Sequence, residues 1–115
     1  MHEVSLVHGI FDILEDMFSQ DELDTMTAID LKVGKLSNVE PILMQNAFDA
    51  VTASKEKYQE VELNMIIVPV EIHCEICKKP SEIEDYIFIC SFCGAPNNNV
   101  VKGMELHIHQ VHFDD

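Results

Sequence analysis

Two short cysteine pairs carry the strongest chemical signal in this chain: Cys74-Glu-Ile-Cys77 and Cys90-Ser-Phe-Cys93, with twelve residues between them. Four thiolates suit Zn²⁺, a d¹⁰ ion that accepts a sulfur tetrahedron at about 2.3 Å and brings no redox chemistry. Two intervening residues let a tight turn aim both sulfurs of a pair at one ion. Gly94, right after the second pair, can take the left-handed backbone such turns use. Four side chains leave the ion no open coordination position, so its role would be structural. Spacing alone leaves iron in a rubredoxin-type centre open, which a colourless protein would exclude. A thioredoxin-like redox site needs one pair rather than two. His73 adjoins Cys74 and reads as a strand residue, because the thiolates already complete the set.

The second group able to do chemistry stands first in the chain: Met1, His2 and Glu3. Methionine is expected to stay in place before His2. That leaves an α-amine, ordinarily of pKa about 7.7–8.0, beside an imidazole of pKa about 6.5. The amine, the His2 peptide nitrogen and the His2 imidazole can form fused chelate rings, and the Glu3 peptide nitrogen can complete a plane. A helix beginning here would help those peptide nitrogens lose a proton, since its first N–H groups lack carbonyl partners and its positive end favours the anion. Planar nitrogen donation suits Ni(II) or Cu(II) and gives Zn(II) no special advantage. Glu3 and Glu40 can balance charge near the cation. A frayed terminal residue also accounts for His2 without any ligand. His8 reads as a surface helix residue and His112 as near-terminal. His107 and His109 share a strand face and could chelate, but a solvated sheet face accounts for them too.

The elements that must position these residues follow from hydrophobic period. Residues 4–18 place Val7, Ile10, Phe11, Leu14, Met17 and Phe18 at helical spacing, with Asp12, Glu15 and Asp16 elsewhere on the wheel. "DELD" at 21–24 breaks the pattern. "TAIDLKVGKL" then alternates Ile29, Leu31 and Val33 against Asp30 and Lys32, as a half-buried strand should. A second helix spans 37–58, with Ser37 and Glu40 at capping-box spacing, Pro41 in the first turn, and Met44, Ala47, Phe48 and Val51 as its buried stripe. Residues 61–73 form a long β run in which Pro69 predicts an edge or a kink. Residues 101–113 alternate again, with Met104, Leu106 and Ile108 opposite Glu105, His107 and His109.

The expected fold is therefore α+β: two helices packed on a three-stranded sheet, with an inserted four-cysteine, zinc-ribbon-like lobe. Residues 1–72 plus 98–115 would form the α+β domain and 73–97 the zinc-binding domain. A lobe of that size with few large apolar side chains cannot be held by burial alone, so the metal should supply most of its folding energy.

Composition limits the partners. The 115 residues hold seven lysines, no arginine and 21 acids, for a formal charge of −14. Nucleic acid needs clustered basic residues, which this chain does not offer. No apolar run reaches the roughly 18 residues that span a bilayer. The start lacks the basic and apolar regions of a secretory signal, and paired cysteines suit a reducing compartment, so a cytoplasmic protein is expected.

The "MHE" start, "VGKLSNVEPILMQNAFDAV" in mid-chain, the twin C-x-x-C pairs and the closing "GMEL" together resemble the HypA/HybF family, in order and nearly end to end. The resemblance implies a nickel metallochaperone for [NiFe]-hydrogenase maturation, not an enzyme. It assigns nickel to Met1, His2 and Glu3, with Glu40 as an assisting acid. It assigns structural zinc to Cys74, Cys77, Cys90 and Cys93. The implied partners are a maturation GTPase and the hydrogenase large subunit, and, because some relatives serve urease, urease maturation factors. Relatives that shuttle urease nickel in acid carry a histidine just past each cysteine pair. Here Lys78-Lys79 and Gly94-Ala95 stand there instead, which argues against an acid-sensing zinc site. A zinc-ribbon interaction adaptor with no nickel role of its own is the alternative reading.

Overall fold

The structure, a computed structural model, describes residues 3–114. The chain divides into two compact units. Unit 1 comprises Met1–Leu31, Val39–Ile66 and His107–Asp115, and unit 2 comprises Lys32–Asn38 and Ile67–Leu106. The cysteine-bearing unit is thus wider than the expected 73–97 insert.

Unit 1 is built around two helices. Helix α1 (Glu3–Met17) buries Val7, Ile10, Phe11 and Leu14 along one stripe. Met17, expected on that stripe, is 67% exposed. Helix α3 (Pro41–Ala53) buries Met44, Ala47, Phe48 and Val51, as its period requires, together with Thr52. The two helices meet through a stacked aromatic column: the Phe11 ring lies 5.8 Å from Phe48 and 4.5 Å from Tyr58. Offset pairs of this kind add about 0.5–1.5 kcal/mol beyond the area they bury. Ile29 and Leu31 of strand β1 (Met26–Gly34) are also fully buried in this unit.

Two expectations about helix ends are corrected. The second helix does not start at Ser37, because Pro41 disfavours the helical conformation in the residue before it. Glu40 is accordingly the N-cap, with extended backbone (φ −86°, ψ 117°), and its side chain makes no capping bond. The same Ser-x-x-Glu signature operates at Ser19–Glu22, in a stretch read as a break. Ser19 Oγ accepts from the Glu22 N–H at 3.2 Å and Glu22 Oε1 accepts from the Ser19 N–H at 3.0 Å, starting a one-turn helix α2 (Gln20–Leu23). Helix α3 also stops five residues earlier than expected. The Thr52 and Ser54 hydroxyls bond carbonyls of its last turn, and a separate 3-10 turn (Glu56–Tyr58) then buries Tyr58.

The three expected strands form one sheet, ordered β2-β1-β6, with β2 at Glu62–Val68 and β6 at Leu106–Phe113. Each β run splits. Pro69 has no N–H to donate, so the first run divides into β2 and β3 (Val70–His73). The last run divides at Gly103, whose φ of 112° is open only to glycine, into β5 (Val100–Lys102) and β6. Met104 consequently leaves the strand and is exposed.

Unit 2 holds a second sheet that the sequence did not announce. Strand β3 is central and antiparallel to both β4 (Pro80–Ile83) and β5, in the order β4-β3-β5. Its core is small: Val70, Ile72 and Ile83 are buried, with Leu36, Phe88 and Val100 packed against them. Backbone closes tightly beside it. Leu36 N–H donates to the Gly103 carbonyl and Gly34 N–H to that of Glu105, both at 2.7 Å, so any side chain at Gly34 would collide with the Gly103 backbone.

Candidate metal centre

The ends of the second sheet present the cysteines. Strand β3 runs straight into Cys74, and β4 returns from the first turn, pairing Pro80 with His73. His73 is a strand residue, as expected: its N–H donates to the Asn99 carbonyl and its own carbonyl accepts from the Asn99 side chain. Both C-x-x-C turns close the same way. Lys78 N–H donates to the Cys74 carbonyl and Gly94 N–H to the Cys90 carbonyl, each at 2.9 Å. Cys74 N–H then donates to Lys79, and Cys90 N–H to Ala95. Both turns need a left-handed residue after the second cysteine: Gly94 has φ 75° and Lys78 φ 61°. Glycine takes this conformation freely, whereas at Lys78 the turn imposes it on a side chain that resists it. The sequence pointed to Gly94 and gave no hint of Lys78.

The four Sγ atoms converge, all within 4.8 Å of one another. Cys74–Cys93 and Cys77–Cys90 are each separated by 3.6 Å, and all four residues are free cysteines. A tetrahedral Zn–S₄ centre with bonds of about 2.3 Å has sulfur–sulfur edges of about 3.8 Å. The donor set and its spacing therefore fit such an ion. Cys74 and Cys90 are buried, Cys77 half-buried and Cys93 exposed.

The turns prepare thiolates unevenly. Backbone N–H groups, first that of Cys77 and then that of Ile76, lower Cys74 to about 6 against the opposing effect of burial. Cys90 is lowered likewise by the N–H groups of Cys93 and Phe92. The second cysteine of each turn goes the other way. Burial pushes Cys77 up to about 11, assisted by its neighbouring thiols. At Cys93 the Ala95 N–H works downward, but burial and the Cys74 and Cys90 thiols together raise it. Four adjacent negative sulfurs repel one another, so full deprotonation requires a cation among them. A further polar tie fixes the second turn: buried Ser81 on β4 accepts the Ser91 N–H at 3.0 Å, and their hydroxyls lie 2.8 Å apart.

The other expected site is only partly in view. Met1 and His2 lie outside the described residues. Glu3 opens α1 and is half-buried; Glu40 is exposed at the start of α3. His8 is exposed on α1, and His107 and His109 are exposed on β6. One polar group in unit 1 escaped sequence reasoning altogether. His112 Nε2 lies 2.7 Å from Asp30 Oδ2, and the Asn64 amide donates to Asp30 Oδ1 at 3.0 Å.

Comparison with known proteins places this geometry. The sequence profile of the HypA family, described as hydrogenase/urease nickel incorporation, metallochaperone, matches residues 1–113. The hydrogenase maturation factor HypA of Acidithiobacillus ferrooxidans is 31% identical over 114 residues, covering 99% of this chain and 100% of that protein. Its counterpart from Aquifex aeolicus is 29% identical over 114 residues, covering 99% and 98%. The solution structure of the Ni metallochaperone HypA from Helicobacter pylori shares the fold, with a TM-score of 0.65 at 18% identity over 98% of this chain and 97% of that one. Fold and site thus define a small α+β protein carrying a cluster of four cysteines with the spacing of a metal centre. The chain belongs to the HypA family.

Proposed function

We propose that this protein is a nickel metallochaperone that binds Ni(II) through Met1, His2 and Glu3 and passes it on for [NiFe]-hydrogenase maturation. The observation that carries this reading is the family match, which extends over residues 1–113 and so includes the Met1-His2-Glu3 start. With Met1 as the mature terminus, the amine, the His2 imidazole and two peptide nitrogens supply four donors in one plane. Glu40, at the start of α3, is the assisting acid on this reading. The cysteines Cys74, Cys77, Cys90 and Cys93 hold zinc as a resident structural ion, which supplies no chemistry beyond closing the lobe. The protein works as an escort rather than a catalyst, in the cytoplasm, handing its ion to a maturation GTPase and the hydrogenase large subunit, with urease maturation factors as further partners.

An escort must release its cargo, so the expected affinity is about micromolar, or about −8 kcal/mol. Calorimetric titration of untagged, zinc-loaded protein with Ni²⁺ tests the reading. Affinity should fall steeply from pH 8 to 6, in the range where amine and imidazole ordinarily take up protons. His2→Ala should abolish it while zinc content stays constant. Nickel binding that survives this substitution, or that ignores pH, would leave the adaptor reading standing instead.

A further inference from the structure

The two cysteine turns carry side chains that a metal centre does not use. Their sequences, Cys74-Glu-Ile-Cys77 and Cys90-Ser-Phe-Cys93, place a large apolar residue directly before the second cysteine of each pair. Both turns close in the same way and their four Sγ atoms lie within 4.8 Å of one another, so Ile76 and Phe92 hold matching positions around one sulfur cluster. Ile76 is 72% exposed and Phe92 62%. A lobe short of apolar side chains thus leaves two large ones in water. Two lysines stand beside them. Lys79, after the first turn, sets its Nζ 5.1 Å from the centre of the Phe92 ring on the second, within the range of attraction between a cation and an aromatic face. Lys78 has the left-handed backbone (φ 61°) that Gly94 takes freely in the other turn. Its Nζ lies 4.0 Å from Glu75 Oε2, with side chains 70% and 69% exposed, and such an ion pair contributes little. Glu75 Oε1 already accepts from the Asn99 amide at 3.1 Å. Lys78 therefore strains its turn and returns little to the lobe.

Charge decides what such a surface meets. The chain has 21 acids and seven lysines, and Lys78-Lys79 is its only pair of adjacent cations. A basic partner would find carboxylates almost anywhere on unit 1, which has fifteen acids and two lysines, whereas an acidic one finds ammonium groups beside exposed apolar side chains here. A long polyanion such as nucleic acid is repelled by the net charge of −14, but a short acidic segment brings only local charge. Counter-charge for thiolates would account for the lysines and not for the exposed isoleucine and phenylalanine. We propose that Ile76, Phe92, Lys78 and Lys79 form a docking surface for an acidic segment of a partner protein. Carboxylates of that segment face the two ammonium groups, and an apolar side chain packs on Ile76 and Phe92. The cysteines fix the surface and take no part in the contact. Docking there is independent of nickel binding at the amino terminus.

The test presents a random peptide library to the full, zinc-loaded chain, after depletion on the same chain carrying Ile76→Ser and Phe92→Ser. The peptides retained should join Asp or Glu to Leu, Ile or Phe. In an NMR titration the tightest of them should shift the amides of residues 75–79 and 91–93 in a saturable way and leave those of α1 and α3 in place. Phe92→Ser should weaken it by roughly tenfold or more. Lys78→Gln with Lys79→Gln should weaken it by roughly tenfold and remove its dependence on salt, whereas Lys55→Gln in unit 1 should change nothing. All of these substitutions alter exposed side chains or the half-buried Lys55, and one zinc per chain confirms that each variant has folded. Lysines that serve only as counter-charge would lower zinc affinity and leave peptide binding alone, which overturns the proposal. So does a library that yields no peptide or only neutral and basic ones, binding that survives all four substitutions, or an oligothymidylate that shifts the same amides as tightly as the peptide.

Discussion

The two units of this small chain are held by different physics. Unit 1 carries fifteen acids against two lysines, and unit 2 six acids against five lysines. Almost all of the net charge of −14 therefore sits on the unit with the larger apolar core. That core includes Phe11, Leu14, Ile29, Leu31, Met44 and Phe48, each at most 1% exposed, and it tolerates the self-repulsion of an acidic surface. Unit 2 has little charge to repel but only three buried aliphatic side chains in its cluster, so a metal held by the four cysteines, as proposed above, would do what burial does in unit 1. On the function proposed above the labour divides: solvent-driven packing builds one unit, and coordination chemistry would build the other.

The sharpest way to break that contrast is to remove the metal ligands. Cys74→Ser, or exhaustive chelation, should unfold unit 2 while α1 and α3 persist, because structural zinc contributes on the order of 10–16 kcal/mol to such lobes. Hydrogen exchange should show lost protection in β3, β4 and β5 and retained protection around Phe11 and Phe48. Simultaneous loss of both units would mean that they share one stabilising term. Zinc uptake should also release protons at neutral pH. Cys77, held at about 11 without the ion, is a thiol there and must become a thiolate, which proton-release calorimetry in buffers of different ionisation heat can count.

The converse substitution is Leu14→Ala, in the core of unit 1. It should cost about 2–5 kcal/mol in denaturant unfolding and leave zinc affinity unchanged. Smaller effects compare the two cysteine turns. Gly94→Ala puts a side chain at φ 75° in open space, so only the backbone penalty of about 1–2 kcal/mol applies. Lys78→Gly should recover about the same amount, read as opposite shifts in competition with a zinc chelator. The smallest is Ser19→Ala, which removes a cap worth about 1 kcal/mol and should lower the unfolding midpoint slightly.

What the sequence disclosed follows the range of the forces involved. The clustering of the cysteines was legible because their spacing is local, and the buried stripes of α1 and α3 because period 3.6 is local too. Ser19–Glu22 was equally local and was missed only because a one-turn helix has too few residues to show a period. Pro41 overruled the capping signal at Ser37 through a steric rule one residue long. The β4 strand was hidden inside the cysteine lobe, since a four-residue run with Ile83 as its one large apolar side chain resembles a loop. Lys78 adopts a left-handed conformation that its own chemistry disfavours, imposed by turn closure around the sulfurs. The Asp30–His112 and Asp30–Asn64 pairs join residues 82 and 34 positions apart, and only the strand order brings them together. No local pattern encodes that order.

The most direct measurement is the metal content and nickel absorption spectrum of untagged protein beside a version whose amino terminus is blocked by a retained tag. Unblocked protein should hold one zinc and, at stoichiometric loading, one nickel with the spectrum of a planar nitrogen-bound ion. The blocked protein should keep its zinc and lose that spectrum. An identical nickel spectrum in both would contradict delivery from the first three residues.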